Sequence, residues 1–473
     1  MVVGCGGSGL ATAVSAVERG ARVLVLEKSA RPGGTTALAV GSFTACRTSL
    51  QRAAGIDDSP EAHAEDAALF APREIEARNN ERLRRFFLAR AGETFEWLRR
   101  LGVEFRGPFP EPPNRVPRMH APIGGAAAYT TRLLEALERR GGVVVCEAAV
   151  AELARDDARV TGVRYEQAGE LGEAAARRGV VLAAGDYSAG GDLIAAHKGE
   201  RFRPIGGVNP ATTGDGQRLA AEAGGRLLNM DVAYGPELRF IPPSAGPAAT
   251  ASGLPAGVPL ASWQHPENAL LDDGAILINH RGDRFTDELE PLRRELEVAS
   301  QPRGEAFLLL DARLGARYSA WPHFISTAPL TGYAYVEDYL RERPDIAVRA
   351  EDLGGLAERR AFDRERLRSA VVAFRRHARG GVEDPFGRRR RGPEPGPGPW
   401  TLLGPARACF TTTEGGAAVS ERLEVLDADG RPIPGLYAVG QSGLGGMVLW
   451  GHGLHIAWAI SSGRLAGEAL TEL

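Results

Sequence analysis

The fold of the first part of the chain is decided by the stretch Val2-Val3-Gly4-Cys5-Gly6-Gly7-Ser8-Gly9-Leu10-Ala11. Its glycines at positions 4, 6 and 9 have the spacing G-x-G-x-x-G, which favours a tight turn, close approach of the backbone to a pyrophosphate, and close packing of the next helix on a sheet. A helix that begins here directs its positive N-terminal end at the phosphates. We therefore predict that Gly4, Gly6, Gly7, Ser8 and Gly9 bind a dinucleotide cofactor.

The residues that follow agree with this interpretation. A helical stretch covers residues 10–19 and ends at Gly20, and the apolar run of residues 22–27 is typical of a buried parallel strand. Glu27 ends that strand, where an acidic side chain accepts hydrogen bonds from both hydroxyls of an adenosine ribose and repels a 2′-phosphate. Glu27 is therefore predicted to bind the ribose. The alternative is a glycine-rich turn in another α/β protein, with Glu27 merely exposed.

The composition is that of an ordinary globular protein. The 473 residues exceed what one compact core usually holds, so we expect two domains. A net charge of −3 gives no sign of a nucleic-acid or membrane partner, and no apolar stretch is long enough to span a bilayer. The four cysteines lie far apart without metal-like spacing, so we expect reduced thiols in a cytoplasmic protein and no metal site.

The order of predicted elements indicates that the chain leaves one domain and later returns to it. Helical patterns over residues 58–100 and 129–140 are followed by strand-like residues 142–146 and 178–185. After Gly224 the composition changes, with more proline and irregular apolar segments, until a strand-like stretch at 435–440 precedes a helix over 455–470. We predict an α/β fold: a Rossmann-like domain of residues 1–228 and 409–473, with an inserted α+β cap domain of residues 229–408.

Several motifs further along the chain coincide with those of one family. They are Glu27-Lys28, Pro32-Gly33-Gly34-Thr35-Thr36, and residues 180–185, 213–216, 282–288, 434–440 and 463–467. Together with the fingerprint they cover most of the chain, which resembles the flavoprotein subunits of fumarate reductase and succinate dehydrogenase, in the broad family that also holds ketosteroid dehydrogenases and aspartate oxidase. The resemblance implies an FAD-binding domain and FAD as the cofactor, and it is much less specific for the substrate.

The resemblance also implies further residues that bind FAD. In it, Val150 meets the adenine, Asp215 lies near the flavin ribityl chain, and Gln441 stands where an acid usually binds ribityl hydroxyls. The implied set is Lys28, Gly34, Thr35, Thr36, Gly41, Val150, Ala184, Gly185, Asp215, Gly440, Gln441 and Leu454. Family members with covalent FAD carry a histidine after the double glycine, and this chain has none there, so we expect non-covalent FAD. A second G-x-G-x-x-G for a nicotinamide is absent, which favours a quinone, dioxygen or another electron carrier.

The substrate positions depart from the fumarate reductase pattern. Trp450 stands where a carboxylate-binding arginine is expected, and Thr412 or Thr413 where a substrate histidine is expected. The positions implied for a proton relay and its acid arginine hold Leu271, Asn268 and Leu292, although a shift of one residue would give the acid role to Arg293. Tryptophan offers an apolar face and one N–H donor, so we predict a less anionic, hydrophobic or cyclic substrate. The alternative is that Trp450 packs in the core.

Histidines near the C-terminus supply candidates for proton transfer. His452 lies between two glycines in the segment expected beside the flavin, where an imidazole can polarise a carbonyl or move a proton near neutral pH. We predict Arg293, His452 and Trp450 as the catalytic residues. Arg294, His455, His265 and Tyr234 are further candidates, the last two in the expected cap domain.

The leading hypothesis is an FAD-dependent oxidoreductase that desaturates or reduces a CH–CH bond next to a carbonyl of a small molecule. The alternatives are a flavin-dependent amine or amino-acid oxidase, a dicarboxylate reductase like fumarate reductase, and a partner subunit whose flavin is structural. One oddity concerns the beginning of the chain, because only three residues precede Gly4. Either the first strand is unusually short, or the native start lies upstream of Met1.

Overall fold

The computed structural model describes residues 1–241, 264–326 and 333–472. Its strands, numbered in chain order, are β1 (Val2–Val3), β2 (Leu24–Leu26), β3 (Phe43–Thr44), β4 (Phe105–Phe109), β5 (Met119–Pro122), β6 (Val143–Val145), β7 (Ala148–Asp156), β8 (Arg159–Gln167), β9 (Glu170–Ala175), β10 (Val180–Leu182), β11 (Gly206–Gly207), β12 (Leu227–Leu228), β13 (Ala233–Tyr234), β14 (Glu237–Phe240), β15 (Ile276–Ile278), β16 (Glu305–Leu310), β17 (Ala347–Ala350), β18 (Trp400–Phe410), β19 (Thr412–Thr413), β20 (Gly416–Ala417), β21 (Glu424–Leu426) and β22 (Pro432–Ala438).

The helices are numbered in the same way. They are α1 (Gly7–Val17), α2 (Gly34–Leu38), α3 (Ser49–Ala53), α4 (Pro60–Ala67), α5 (Arg73–Glu76), α6 (Glu81–Arg100), α7 (Ala127–Glu138), α8 (Gly191–Lys198), α9 (Asp215–Glu222), α10 (Ala269–Asp272), α11 (Pro291–Ala299), α12 (Ala312–Arg317), α13 (Val336–Glu342), α14 (Leu353–Arg360), α15 (Arg364–Ala378) and α16 (Leu454–Ala469). The helical pattern predicted over residues 58–100 is thus divided into α4, α5 and α6, because Pro60 begins one helix and Pro72 precedes the next.

Two compact units make up the chain. The first contains Met1–Arg203, Gly207–Tyr234 and Thr411–Leu473, and the second contains Pro204–Gly206 and Gly235–Phe410. The sequence assigned residues 229–234 to the second domain. The structure places them in the first unit, because β13 pairs antiparallel with β19, with Ala233 opposite Thr413 and Tyr234 opposite Thr412.

The first unit is built on a six-stranded sheet with the order β21-β22-β10-β1-β2-β6. The pairs from β22 to β6 are parallel, and only the edge strand β21 runs antiparallel. Strands β1 and β10 consist of buried valine and leucine, as expected for parallel strands that are covered on both faces. The predicted α/β class is therefore confirmed.

The first and last long helices of this unit pack against each other. A Cβ added to Gly463 on α16 would lie 2.2 Å from the backbone oxygen of Ser8 on α1, so only glycine permits this approach. The contact is extended by a hydrogen bond from Ser15 Oγ to the backbone oxygen of Arg464 (2.7 Å). The motif at residues 463–467 therefore allows α1, the helix that follows the fingerprint, to pack closely on α16.

Smaller sheets complete the first unit. Strands β7, β8 and β9 form an antiparallel meander. Strand β5 pairs with β3 and β4, and β12 pairs with β20. Together these sheets surround the carboxyl-terminal edge of the main sheet with segments from distant parts of the sequence.

The second unit has its own sheet and core. Strand β18 pairs antiparallel with β14, β16 and β17, and β15 pairs with β16. The apolar face packs on α14 and α15 through Leu356, Leu367, Phe374 and their neighbours. The motif at residues 282–288 stabilises this unit, because the buried Glu288 accepts hydrogen bonds from Arg284 (2.7 and 2.8 Å) and from Arg388 (2.9 Å). Among the described residues, no helix is both long and apolar enough to cross a membrane.

Candidate active site

The turn between β1 and α1 has the geometry that the fingerprint predicts. Gly4 has φ +102°, and a Cβ at this position would lie 2.5 Å from the backbone oxygen of Ala183 on the neighbouring strand. A Cβ on Gly9 would lie 1.9 Å from the backbone oxygen of Gly4. Helix α1 carries no acidic side chain in its first turn, so its N-terminus has no built-in anion to compete with a phosphate.

A cavity opens at the carboxyl-terminal ends of β1, β2 and β10, which is where parallel α/β sheets bind their ligands. Most of the predicted cofactor-binding residues line it: Gly4, Gly6, Gly7, Ser8, Glu27, Lys28, Gly34, Thr35, Thr36, Val150, Ala184, Gly185, Asp215 and Gln441. Four predicted residues lie outside this lining: Gly9, Gly41, Gly440 and Leu454. Gly41 instead packs against α7, where a Cβ would lie 2.7 Å from Ala126.

Glu27 is held rigidly at one end of this cavity. Its side chain is buried, Oε2 accepts a hydrogen bond from the Cys5 N–H (2.7 Å), and Oε1 accepts one from the Ser29 N–H (2.8 Å). Each carboxylate oxygen has a second lone pair, so the group can still accept hydrogen bonds from two ribose hydroxyls. The backbone donors keep Glu27 oriented for that task.

Lys28 and Asp215 form an ion pair in the same cavity. Lys28 Nζ lies 2.8 Å from Asp215 Oδ2 and 2.7 Å from Thr213 Oγ1, and the Thr213 hydroxyl donates to Asp215 Oδ1 (2.7 Å). The sequence placed Asp215 near the ribityl chain. Its observed partner is the residue that follows Glu27, and its contact with the ribityl chain stays a prediction.

The lining residues that were missed at the sequence level include Asp186, Asn209 and Thr212. Asp186 directly follows Gly185 at the end of β10, so the signal that identified Ala184 and Gly185 could have identified it as well. Asn209 donates to Thr35 Oγ1 (3.0 Å) across 174 positions of sequence, a contact that only the fold produces. Burial raises the pKa of Asp186, against hydrogen bonds that favour its charged form.

The opposite end of the cavity is lined by Thr412, Gln441 and Ala459. Gln441 Nε2 donates to Thr412 Oγ1 (2.9 Å) and to the backbone oxygen of Thr413 (3.0 Å). Gln441 Oε1 is buried and has no hydrogen-bond partner among the described residues. This acceptor, in the same cavity as the Glu27 carboxylate and the glycine turn, fits a long ligand with hydroxyl donors between two aromatic ends, as FAD has.

Trp450 lies on the loop that follows Gln441 and is half-buried. Its ring packs edge-on against Tyr234, with the ring centroids 5.6 Å apart and the planes at 83°. Its Nε1 is buried and has no acceptor among the described residues. The ring thus contributes packing. Its N–H is a buried donor, and no described residue offers a hydrogen bond that would compensate the cost of removing it from water.

His452 is oriented by a residue that sequence reasoning missed. Glu111 Oε1 lies 2.6 Å from His452 Nδ1 and also accepts the His452 backbone N–H (3.0 Å). The Glu111 side chain is 10% exposed and that of His452 is 73% exposed. A buried carboxylate therefore fixes an accessible imidazole. Glu111 lies in a proline-rich segment more than 300 positions away, so no sequence signal indicated the pair.

The loop that carries Glu111 is anchored by a buried guanidinium. Arg118 donates to Asp58 through Nε (2.8 Å) and Nη2 (2.7 Å), and through Nη1 to Asp66 (2.5 Å) and Asn114 (2.9 Å). Burial alone would raise the pKa of Asp58 and of Asp66, but hydrogen bonds from their donors outweigh it and lower both pKa values. Two ionised carboxylates thus hold Arg118 and with it the loop.

The two adjacent arginines of the second unit have different surroundings. Arg293 is half-exposed and pairs with Glu297 (2.8 Å) on the same helix, so its catalytic role stays a prediction. Arg294 is buried and donates to Glu295 (2.5 Å) and to Asn268 (2.8 Å), one of the positions at which the sequence implied a relay. His265, also in this unit, has Nδ1 2.9 Å from the backbone oxygen of Leu238, and burial lowers its pKa.

Comparisons with known proteins identify the family of this chain. Residues 1–451 match the family of the FAD binding domain. The NADH:fumarate oxidoreductase of Klebsiella pneumoniae is 25% identical over 479 residues, and the alignment covers 99% of this chain but only 47% of that protein. The vinyl phenol reductase of Lactiplantibacillus plantarum is 26% identical over 494 residues, which covers 99% of this chain and 95% of that protein.

Solved structures with the same fold were also found. An open conformation of a flavocytochrome c3 fumarate reductase has a TM-score of 0.76 at 23% identity, and the match covers 100% of this chain and 77% of that one. The 3-ketosteroid-Δ4-(5α)-dehydrogenase from Rhodococcus jostii RHA1, in complex with 4-androstene-3,17-dione, has a TM-score of 0.61 at 25% identity, covering 100% and 96%. With the family match over residues 1–451, these likenesses show that the chain belongs to the FAD binding domain family of FAD-dependent oxidoreductases.

Proposed function

We propose that this protein binds FAD without a covalent bond and reduces or desaturates a CH–CH bond next to the carbonyl of an apolar or cyclic small molecule. The observation that carries the proposal is the buried Trp450 N–H, which finds no acceptor in the described part of the chain and lies on the loop that follows the cavity residue Gln441. A dicarboxylate would need bidentate cations at its two ends. A single indole donor beside the Tyr234 ring instead suits a substrate with one acceptor atom and an apolar body.

Two relatives support this substrate class. One is named a vinyl phenol reductase, and the structure of the other contains a steroid dione. Vinyl phenol and the steroid dione are both ring compounds with few polar atoms. Relatives named as fumarate oxidoreductases keep a dicarboxylate reductase as the second candidate. The two candidates differ in whether a carbonyl or two carboxylates must be bound.

Bound FAD supplies the hydride chemistry, and the chain positions the substrate and moves the proton. Trp450 Nε1–H would donate to the substrate carbonyl, which makes the adjacent carbon more acidic in desaturation and more electrophilic in reduction. His452 is the proposed proton carrier, through Nε2, because Glu111 occupies its Nδ1 edge. Arg293 stays an alternative proton donor.

Three points complete the proposal: how FAD is attached, which molecule exchanges electrons with it, and where in the cell the protein is located. Helix α2, which follows the double glycine, offers Thr35, Thr36, Ala37 and Leu38 and no histidine for a covalent link. Electrons would be exchanged with a quinone, dioxygen or another electron carrier. The four free cysteines support a cytoplasmic location.

An anaerobic titration tests the function. The FAD-loaded protein is reduced chemically and mixed separately with cyclohex-2-enone, with 4-vinylphenol and with fumarate, while the flavin absorbance is followed. Reoxidation by the enone, and at least tenfold slower reoxidation by fumarate, is the expected result. Reoxidation by 4-vinylphenol alone would show that an apolar ring is accepted but that a carbonyl is not required. Faster reoxidation by fumarate would establish the dicarboxylate reductase instead.

Three further measurements complete this experiment. Ammonia release by the oxidised protein from an amino-acid panel would establish the amine oxidase. The variants Arg293→Met and Arg294→Met separate the two adjacent arginines: a loss of reoxidation in Arg293→Met alone would assign the proton to Arg293, and unchanged reoxidation leaves His452 as its carrier. FAD released intact by acid precipitation would verify that it is not covalently bound.

A further inference from the structure

Exposed apolar side chains of the first unit converge on one turn. The structure describes six large apolar side chains of this unit that are at least 36% exposed: Val40, Leu69, Phe109, Ile123, Val143 and Leu171. The first three lie within two positions of residues that contact the turn formed by residues 451–453. Single exposed apolar residues are ordinary, whereas several beside one turn mark a binding surface.

Phe70 connects the most exposed of these three to the turn. A Cβ on Gly451 would lie 3.4 Å from both Cδ2 and Cε2 of Phe70. Because this position is glycine, the half-buried ring packs on bare backbone between Trp450 and His452. Leu69, which is 63% exposed, directly precedes Phe70 and therefore adjoins the same turn.

The other two side chains adjoin the turn through residues that touch it. Glu111 Oε1 lies 2.6 Å from His452 Nδ1, and Phe109 lies two positions before Glu111. The glycine that follows His452 is so close to Ser42 that an added Cβ would lie 2.8 Å from the Ser42 backbone oxygen, and Val40 lies two positions before Ser42. Two residues span at most about 7 Å, so both apolar residues lie beside the turn.

The exposed apolar area suits a small molecule better than a protein. With the largest aromatic side chain as the upper limit, Val40, Leu69 and Phe109 together offer at most about 360 Å² of exposed surface. A stable protein interface buries about 800 Å² on each partner. The His452 side chain is 73% exposed beside them, and apolar surface around one polar group is typical of a ligand site.

We propose that the apolar residues beside His452 bind an alkyl or ring extension of the substrate. They form an apolar rim that consists of Val40, Leu69, Phe70 and Phe109. The inference rests on the proposed function, which places the substrate carbonyl at Trp450 and the proton carrier at His452. It names the substrate class more closely: carbonyl compounds whose apolar body extends well beyond the reacting bond, in preference to small enones. The apolar rim determines specificity and takes no part in the proton transfer.

Binding of saturated ketones to the FAD-loaded protein tests the apolar rim without turnover. The flavin is first reduced chemically, so that it cannot take a hydride from the ketone. Calorimetric titration under argon with 4-methyl-, 4-ethyl-, 4-propyl- and 4-butylcyclohexanone should give a Kd that falls about fourfold for each added CH₂ group, the worth of one buried CH₂. A Kd that stays constant along the series would overturn the proposal.

Serine variants separate the apolar rim from the rest of the surface. Leu69→Ser and Phe109→Ser should each raise the Kd of the butyl compound at least about fivefold, and that of the methyl compound less than about twofold. Both side chains are partly exposed, so the fold should tolerate the changes. Leu171→Ser on β9 is the matched control, because Leu171 is 83% exposed and lies outside the apolar rim. An equal loss of affinity in this control would indicate nonspecific binding and overturn the proposal.

Kinetics with the matching enones distinguish this proposal from the function on which it rests. The 4-alkylcyclohex-2-enones are mixed with the reduced protein, and reoxidation of the flavin is followed. A half-saturating concentration that does not depend on chain length would retain the function and overturn the apolar rim. A chain-length dependence of the ketone Kd without reoxidation by any enone would refute the reaction and retain the apolar rim as a ligand site. A dimer in light scattering that Leu69→Ser dissociates would assign this surface to a second copy of the chain and overturn the proposal.

Discussion

Replacing Arg118 by methionine should destabilise the first unit strongly, because it leaves the buried Asp58 without its cation and the buried Asp66 with only the half-exposed Arg115. Arg118, Asp58 and Asp66 have side chains that are 0%, 1% and 3% exposed. Removing one partner of a buried ion pair typically costs about 3–5 kcal/mol, because the remaining charge is uncompensated. Methionine preserves most of the volume, so the loss reports the charge rather than a cavity. A domain has a total stability of only about 5–15 kcal/mol, so the variant should unfold at a clearly lower denaturant concentration.

The pH dependence of this loss provides a sharper test than its size. In the wild type the lowered pKa values of Asp58 and Asp66 contribute stability above their unfolded pKa of about 3.9, and this contribution is lost only as the pH falls through the lowered values. In Arg118→Met, Asp58 stays buried without a cation, so its pKa rises above the unfolded value, whereas Asp66 keeps its contact with Arg115 (2.8 Å). The folded variant then binds protons more readily than the unfolded chain, and acidification from pH 7 to pH 5 should reduce the difference from the wild type.

Urea unfolding of the FAD-loaded protein at pH 7 and pH 5 is the assay. Burial lowers the pKa of His63 to about 3 and that of His120 to about 4, so acid destabilises both proteins through these residues, and the difference between variant and wild type is the quantity to compare. Arg115→Met is the matched control, because Arg115 also contacts Asp66 but is half-exposed, and it should cost about 0–1 kcal/mol. A cost below 1 kcal/mol for Arg118→Met, or a difference that grows on acidification, would refute the reasoning.

Three further predictions concern the cofactor and the site. Gly9→Ala should yield protein without bound flavin, seen as a lost flavin-to-protein absorbance ratio, because the new Cβ would lie 1.9 Å from the oxygen of Gly4. Glu111→Gln should slow the reaction at least about tenfold, part of the roughly 10²–10⁴-fold that a positioned proton carrier contributes, and NMR should report a changed His452 tautomer; an unchanged tautomer contradicts the pairing. Trp450→Phe should raise KM about five- to tenfold, the worth of one hydrogen bond, with a smaller change in kcat; an unchanged KM would place the substrate elsewhere.

The parts of the fold that depend on local sequence could be predicted well. The β1 turn, α1, the strand that ends at Glu27, and the return of the chain after residue 409 follow from glycine spacing and from apolar runs, which act over a few residues. The division of residues 58–100 into three helices was missed. The periodic spacing of apolar residues continues across Pro60 and Pro72, whereas the helical conformation of the backbone does not. The lining of the cavity was predictable where one turn supplies it, as at Gly4 to Ser8.

The unpredicted parts depend on contacts between distant segments. Glu111 with His452 and Glu414 with His455 join residues 341 and 41 positions apart, and neither glutamate belongs to a recognisable motif. Likewise, the sequence could not tell the exposed Arg293 from the buried Arg294, because adjacent residues on a helix point about 100° apart and only packing decides which faces inward.

The packing of α1 on α16 has a consequence for how the chain matures on the ribosome. The ion pair of Arg19 with Glu468 joins positions 449 residues apart, so the nucleotide-binding turn is synthesised long before the helix on which it rests. At roughly 5–20 residues per second this interval lasts on the order of 20–90 s. The second unit, nearly all of it one continuous stretch, can fold during that time. The glycine turn and α1 cannot reach their final packing until α16 has been synthesised. Nascent chains stalled before α16 are therefore expected to be unable to retain FAD, although their glycine motif is complete.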